Sequence, residues 1–487
     1  MGLIFWPRGG SAQVARYLAR ALDAVGWRTT LATGSVGSPG ERGYARDFYL
    51  PRGVDDLRLD LVTADYAPAL ADHAAGADPM DSALPLHASY EPRTDVPDRI
   101  FTSVSPDQAR HAARAWADVY RSSDAFMASD VLHLNHLTPL HDAARLALPA
   151  TPIITHLHGT DLKMLDAIDR GEAGVADEPY ASFWREHLAT AAHHAHATIV
   201  ISPHDRAVAA RLLGLDPATV HWLPNGVDVE HFTPRELTTG ERRDALRRWF
   251  ADDPQGWDEA TRTPGSITYD QAHIEHAFFD ADTGLPRRAL LFVGRFLDFK
   301  RVPLLVRAYA RARPQFDHDA PLIIWGGAPG EWEGEHPHTV ASALAGDTGG
   351  DSNIFFAGWR GHGELPTGMA CADVFVAPST DEPFGQVYLE AMACGLPVIG
   401  TRSGGPPSFI NVDRGALDGW LVAPDDVEGL AEALVTAVND RAGSYQRGQH
   451  GLRHVREGYS WAGLAQRFAD LYASALEPAA PAPRAGR

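Results

Sequence analysis

The chain has 487 residues, of which 45% are apolar and 22% charged, the proportions of a soluble globular protein too long for one ordinary core. Its formal net charge of −20 leaves no basic stripe for nucleic-acid phosphates and disfavours broad attachment to anionic lipid, so membrane contact is at most peripheral and local. No apolar run of membrane-spanning length occurs, and Cys371 and Cys394 are too few for a disulfide framework and lack metal-ligand spacing, so both read as packed thiols.

At the N-terminus, Met1 to Pro7 has neither a basic region nor a cleavage site; it reads as a first strand and not a signal peptide, which predicts a cytoplasmic protein. The apolar run Leu3–Trp6 is followed by Pro7-Arg8-Gly9-Gly10-Ser11 and an amphipathic helix pattern from about Ala12 to Val25, closed by Gly26. Strand, glycine turn and helix open a Rossmann-like unit, and Gly9 and Gly10 let backbone approach a phosphate closely. From Ser35 to Ser129 the pattern is rich in Asp, Ala and Pro, and one helix is predicted, Ser105 to Tyr120, with a cap at Ser105-Pro106-Asp107-Gln108.

Val131–Asn135 and Pro152–His158 read as buried parallel strands, and Thr198–Ser202 as the next. Ligands sit at the C-terminal ends of such strands, which places His158 there. His187, His193, His194 and His196 make no closed metal set and read as a solvated helix end. Trp222-Leu223-Pro224-Asn225-Gly226-Val227-Asp228 contains a turn at Asn-Gly. Residues 235–288 are longer than a hinge needs; within them Glu241–Phe250 is a basic amphipathic helix, read as a solvated surface helix, with acceptor selection, subunit contact or a membrane touch left open.

A second βα alternation starts at Ala289–Arg295 and continues through Leu322–Trp325, Ile354–Ala357, Val374–Ala377, Val398–Thr401 and Trp420–Val422, predicting a second doubly wound sheet. Arg295 and Lys300 flank the first turn, where two cations can straddle a diphosphate. Lys163 and Lys300 are the two lysines among 43 Lys and Arg, so a lysine kept in so Arg-biased a chain points to a need for a compact ammonium. Glycine turns follow at Gly326-Gly327, Gly358-Trp359-Arg360 and Gly404-Gly405. The D-x-D runs Asp280-Ala281-Asp282 and Asp317-His318-Asp319 do not follow strands in a way that would hold Mg²⁺.

Between Val376 and Pro397 lies the stretch around which the rest is arranged, Asp381-Glu382-Pro383-Phe384-Gly385-Gln386-Val387-Tyr388-Leu389-Glu390. Glu382 is expected on a loop, Glu390 inside a short helix ended by Gly395, and Gly385 and Gln386 at its N-terminus, where free N–H groups and the helix dipole seat a phosphate. One carboxylate on each side of an anion seat suits a ligand with hydroxyls at both ends of a diphosphate, such as a nucleotide sugar. Pro424-Asp425-Asp426 opens a capped helix, Ser460–Leu476 is the last helix, and a Pro/Ala tail from Pro478 is expected to be disordered.

The Glu382–Glu390 spacing resembles the Glu-x7-Glu signature of glycosyltransferase family 4, retaining enzymes of the GT-B class with two Rossmann-like doubly wound domains facing across a cleft. The resemblance implies an acceptor-binding domain at residues 1–230, a hinge and insertion at 231–288, a donor-binding domain at 289–458, a helix at 459–477 crossing back to the first domain, and a tail at 478–487. By the same resemblance Glu382 faces the donor sugar and Glu390 the ribose hydroxyls. Arg295 and Lys300, after Gly294, bind the donor phosphates and stabilise the leaving nucleotide, and His158 contacts the donor sugar. Gly9, Gly10, Asn225, Trp359, Arg360, Phe384, Gly385, Gln386 and Val387 complete a donor-binding set.

The implied reaction moves a hexose-type sugar from a UDP- or GDP-sugar to an unidentified hydroxyl-bearing acceptor, with no bound cofactor and no metal requirement. Front-face attack is assisted by the leaving phosphate, and Arg295, Lys300 and the helix N-terminus at Gly385 absorb the departing charge. A sugar phosphorylase of the same architecture, or a glycoside hydrolase using Glu382 and Glu390 as its carboxylate pair, is the alternative.

Overall fold

The computed structural model describes residues 1–7, 9–41, 43–50, 58–92, 96–330, 332–348, 352–413 and 415–477. Arg8 and the tail from Pro478 therefore lie outside the described residues. Two compact units form: Met1–Gly226 together with the chain from Trp461, and Val227–Ser460.

The first unit is built on a seven-stranded sheet of β1 (Gly2–Leu3), β2 (Thr29–Ser35), β3 (Leu59–Asp65), β4 (Leu132–Asn135), β5 (Ile153–Leu157), β6 (Ala197–Val200) and β7 (Val220–Trp222). The order is β3-β2-β1-β4-β5-β6-β7 with every pairing parallel. Of these, β2, β3 and β7 carry no clear strand signal. Thr29-Thr30-Leu31-Ala32-Thr33-Gly34-Ser35 is fully buried yet has a single large apolar residue. β3 and β7 are edge strands with partly exposed faces. The expected helix at Ser105 is present as Pro106–Arg121, and its capping box is closed in both directions by Ser105 and Gln108. The terminal helix Trp461–Leu476 buries Trp461, Leu464, Phe468 and Tyr472 against Leu18 and Leu22 of the first helix, Gly9–Ala24. Gly226 is needed there, because a Cβ would lie 2.5 Å from the Trp461 ring.

The second unit carries β8 (Leu290–Val293), β9 (Leu322–Trp325), β10 (Ile354–Gly358), β11 (Val374–Val376), β12 (Val398–Thr401) and β13 (Gly419–Val422), ordered β10-β9-β8-β11-β12-β13 and all parallel. Residues 231–288, expected as hinge and insertion, belong to this unit. The helix foreseen at 241–250 is Thr239–Arg247, followed by a wider turn over Arg248–Asp252, and it is not simply solvated. Trp249 meets Trp325 edge-on at 4.9 Å, Phe250 stacks on Phe278, and both are fully buried. The Tyr269 hydroxyl donates to Ile354 O and accepts from Phe356 N, capping the open edge of β10. An uncovered parallel edge would offer a row of free backbone groups, and this segment covers it.

The basic face read from the sequence is also neutralised: Arg243 pairs with Glu275, Arg247 with Asp252 and Arg248 with Glu364, while Arg242 donates to Cys371 O. That removes the free cationic face a membrane touch would use. No helix among the described residues is long and apolar enough to cross a membrane.

Candidate active site

In each sheet the strand order reverses once, between β1 and β4 and between β8 and β11, and such reversal points open a crevice at the strands' C-terminal ends. In the second unit the loop after β8 carries Arg295 and Lys300, and the loop after β11 carries Glu382. The Lys300 ammonium donates to Glu382 Oε2, both side chains being nearly buried. Lys300 is aimed by its surroundings: its Nζ lies 5.0 Å from the Phe299 ring centre, and Phe299 O accepts from Thr380 N at 2.7 Å. The next residue, Arg301, sits at φ +52° and is held by Asp298 and by Asp425 at 2.8 Å. Arg295 is exposed and has no hydrogen bond or ion pair among the described residues.

The Glu382 loop is moulded on the segment after β12. Asp381 adopts φ +50°, its N–H donates to Ser403 Oγ at 3.1 Å, and that hydroxyl donates back to Asp381 Oδ1 at 2.8 Å. Gly405 N donates to Glu382 O at 2.7 Å, and a Cβ on Gly404 would lie 2.3 Å from the same carbonyl. The Gly404-Gly405 pair is thus required by the close approach of two loops. Gly385, at φ +96°, is the N-terminal cap of the helix Gln386–Ala393, and no side chain among the described residues closes that end. Phe384 is buried against Phe409, so its ring is not open to a ligand, while Val387 is half-buried.

Glu390 lies inside that helix, as expected, with only 9% of its side chain exposed. Its one polar partner among the described residues is His362 Nε2, 3.4 Å from Oε1. Gly294 is explained by packing, since a Cβ would lie 2.9 Å from the Phe292 ring. The adjacent Trp359 and Arg360 part company. Trp359 is exposed, whereas Arg360 is buried and bonded to Ala357 O, Trp249 O and Asp253. The guanidinium expected to meet the donor instead fastens the 249–253 turn to the end of β10.

In the first unit, Gly9 (φ +70°) and Gly10 start the first helix, three residues earlier than the sequence pattern suggests, and a Cβ on either would meet nothing within 4 Å. His158 ends β5 as expected, but buried, with Nε2 2.9 Å from Asn135 Oδ1. Burial and the neighbouring His136 hold it well below the usual imidazole range. His133, His141 and His156 are likewise kept neutral by burial, His133 down to about 3 and His141 to about 4. Asp161, wholly buried, accepts from Leu137 N at 2.8 Å and His158 N at 3.3 Å and pairs with His136 at 3.1 Å. Burial alone would raise its carboxyl, but His136 and these N–H donors outweigh burial and lower it. Asn225 is buried. His136, Asp161, Ser403 and His362 were not singled out from the sequence, since their roles depend on contacts between distant loops.

Both cysteines are free, and burial pushes each thiol up to about 12. The D-x-D carboxylates are engaged locally: Asp280 accepts from Thr283, and Asp319 pairs with Arg313. Among the described residues no three His, Cys, Asp or Glu gather as a metal site. His187 pairs with Asp142 and stacks on Phe183, so it is not part of a solvated helix end.

Paired parallel sheets of this kind, each with loops at a reversal point, define the GT-B class of fold. Across 97% of this chain the structure superposes on sucrose-phosphate synthase from Thermosynechococcus elongatus (TM-score 0.64, 20% identity, 95% of that chain). It also superposes on Anabaena HepE in complex with UDP-glucose (TM-score 0.61, 16% identity, covering 97% of this chain and 100% of that one). Residues 58–231 match the model for Glycosyltransferase Family 4 and residues 287–440 that for Glycosyl transferases group 1. A D-inositol 3-phosphate glycosyltransferase of Corynebacterium efficiens is 34% identical over 45% of this chain and 50% of its own length. The chain spans about half the length of the curated relatives it matches. It belongs to glycosyltransferase family 4.

Proposed function

We propose that this protein is a retaining glycosyltransferase that moves a hexose-type sugar from a nucleoside-diphosphate sugar to a hydroxyl of a polyol or sugar acceptor. The observation that carries the reading is the Lys300–Glu382 pair beside the N-terminus of the helix Gln386–Ala393, which no side chain among the described residues caps, with Glu390 further along that helix. A diphosphate at the helix N-terminus takes its charge compensation from Lys300 and Arg295, which stabilise the leaving nucleotide as the glycosidic bond breaks. Glu382 then has its oxygens toward the sugar hydroxyls, and Glu390 accepts from the ribose. Trp359 is the exposed ring on which a base can stack. Arg360 drops out of the donor set, and Phe384, Gly385, Gln386 and Val387 serve through backbone and helix dipole.

Two similar proteins support the donor and acceptor classes: one neighbour in fold holds UDP-glucose, and one relative is named for D-inositol 3-phosphate. We further propose that the donor is a UDP- or GDP-sugar, that the protein is cytoplasmic and that transfer needs no metal. In the first unit His158, a neutral imidazole whose Nε2–H is given to Asn135 Oδ1, is proposed to accept a hydrogen bond from a sugar hydroxyl at Nδ1. A glycoside hydrolase using Glu382 and Glu390 as its carboxylate pair would have no need of Lys300 bonded to Glu382 or of Arg295 on the same loop as Lys300.

The test is transfer from UDP-glucose and GDP-mannose to inositol-type acceptors, with and without EDTA, the product anomer being read by NMR. An α-linked product from an α-linked donor, unaffected by EDTA, is expected. An inverted product, or free sugar alone from every donor, contradicts the reading.

A further inference from the structure

We propose that His362 is a positioning residue for the donor's ribose, acting through Glu390; the inference rests on the reading of Glu390 as the ribose acceptor. Glu390 is a carboxylate nearly closed off from water, and such a group normally collects several donors. Here it has one, His362 Nε2, on Oε1, and Oε2 has no protein donor among the described residues. A vicinal diol supplies the two O–H donors that a carboxylate in this condition can still accept. Which way the carboxylate plane faces is set by the one group that holds Oε1.

His362 is suited to hold it because its ring is itself backed. It lies parallel to the His231 ring at 5.4 Å and 12°, and meets Phe232 edge-on at 5.1 Å. His231 Nε2 approaches His362 O at 3.4 Å. The backing segment is fixed in turn, since Asp228 Oδ1 accepts from Glu230 N at 3.1 Å and His231 N at 3.0 Å. A ring braced on two sides does not swing away when the ligand arrives. At 3.4 Å its bond to Glu390 is long, so what it supplies is direction more than energy. The 359–362 loop therefore carries the exposed Trp359 at one end and the Glu390-orienting imidazole at the other.

The experiment measures dissociation constants of UDP and GDP, and of their 2′-deoxy counterparts, for wild type, His362→Ala, His362→Gln, Glu390→Ala and the double alanine variant. His362→Ala is expected to weaken the ribonucleotide about three- to tenfold, the net worth of one ordinary hydrogen bond, as suits a contact this long, and to leave the deoxynucleotide nearly unchanged. His362→Gln, which offers an N–H at a similar reach, should restore most of the difference. His362→Ala should add nothing once Glu390 is Ala. If His362→Ala weakens both nucleotides equally, or leaves ribose discrimination intact while Glu390→Ala abolishes it, the positioning role is overturned and the role of Glu390 stands. If Glu390→Ala itself leaves discrimination intact, the reading of Glu390 falls and this inference falls with it.

Discussion

Two buried carboxylates, one beside a histidine and one beside a lysine, stand at the C-terminal ends of the two sheets, and they are treated differently. Asp161 in the first unit takes two backbone N–H groups and His136, and has no accessible surface at all. Glu382 in the second takes Lys300 on one oxygen, and the loop that carries it is held through backbone and through Ser403. The first arrangement consumes the carboxylate's acceptor capacity in tying loops together. In the second, backbone contacts and Ser403 hold the loop, and Lys300 is the cation on the carboxylate. Burial of charge alone therefore does not mark a site; what marks it is how the loop is held.

If that contrast is right, Asp161→Ala should be foremost a stability variant, costing about 3–5 kcal/mol because His136 and Leu137 N–H lose their partner. Chemical denaturation would read this. Lys300→Ala should be foremost an activity variant, lowering kcat by about 10²–10³ through lost stabilisation of the leaving diphosphate. Steady-state kinetics on the folded protein tests it, and a near-normal kcat would break the contrast.

Acidification sharpens the same comparison. His133, His141, His156 and His158 have folded-state values lowered below the unfolded imidazole. The stability they contribute is fully present above about pH 6.5 and lost as pH falls through their folded values, at about 1.4 kcal/mol per pH unit for each proton taken up on unfolding. Asp161, also lowered, loses its share at still lower pH, whereas Asp205, raised to about 6 by burial, acts in the opposite sense. The second unit has His336, lowered to about 4, and His338. Hydrogen exchange at pH 5 against pH 7, corrected for intrinsic rates, should show more protection lost at residues 132–158 than at 290–325.

Smaller effects should separate neighbours. Gly404→Ala, at φ +66° and with no room before Glu382 O, should cut kcat about tenfold with little change in nucleotide affinity, since it shifts the loop and not the phosphate cations. Trp359→Ala should weaken nucleotide binding by about 1 kcal/mol, the low end for a stacked base, and leave the melting temperature unchanged. Arg360→Ala should do the reverse, because three carbonyls lose their donor.

That pair also shows what the sequence could and could not say. The Glu382 loop, the Glu390 helix, the Lys300 turn and the caps at Ser105 and Asp426 are local, so residue type and spacing reveal them. Trp359 and Arg360 are adjacent on one loop, and only the packing of the 249–253 turn decides which of them points inward. The same reason hid Trp249 and Phe250, whose burial depends on an edge strand a hundred residues away. β2 escaped because its Thr, Ala and Gly residues are small enough for a crowded sheet interior but carry no hydrophobic period.

The central claim is that the second unit seats a nucleoside diphosphate on Lys300 and Glu390. The most direct measurement is the thermal midpoint with UDP, GDP, ADP and dTDP for wild type, Lys300→Ala and Glu390→Ala. One nucleotide near a hundred times its dissociation constant should stabilise the wild type by about 2.7 kcal/mol, a shift of a few degrees, and should do so much less in both variants. No shift with any of the four nucleotides, with or without Mg²⁺, or an equal shift in all three proteins, would contradict it.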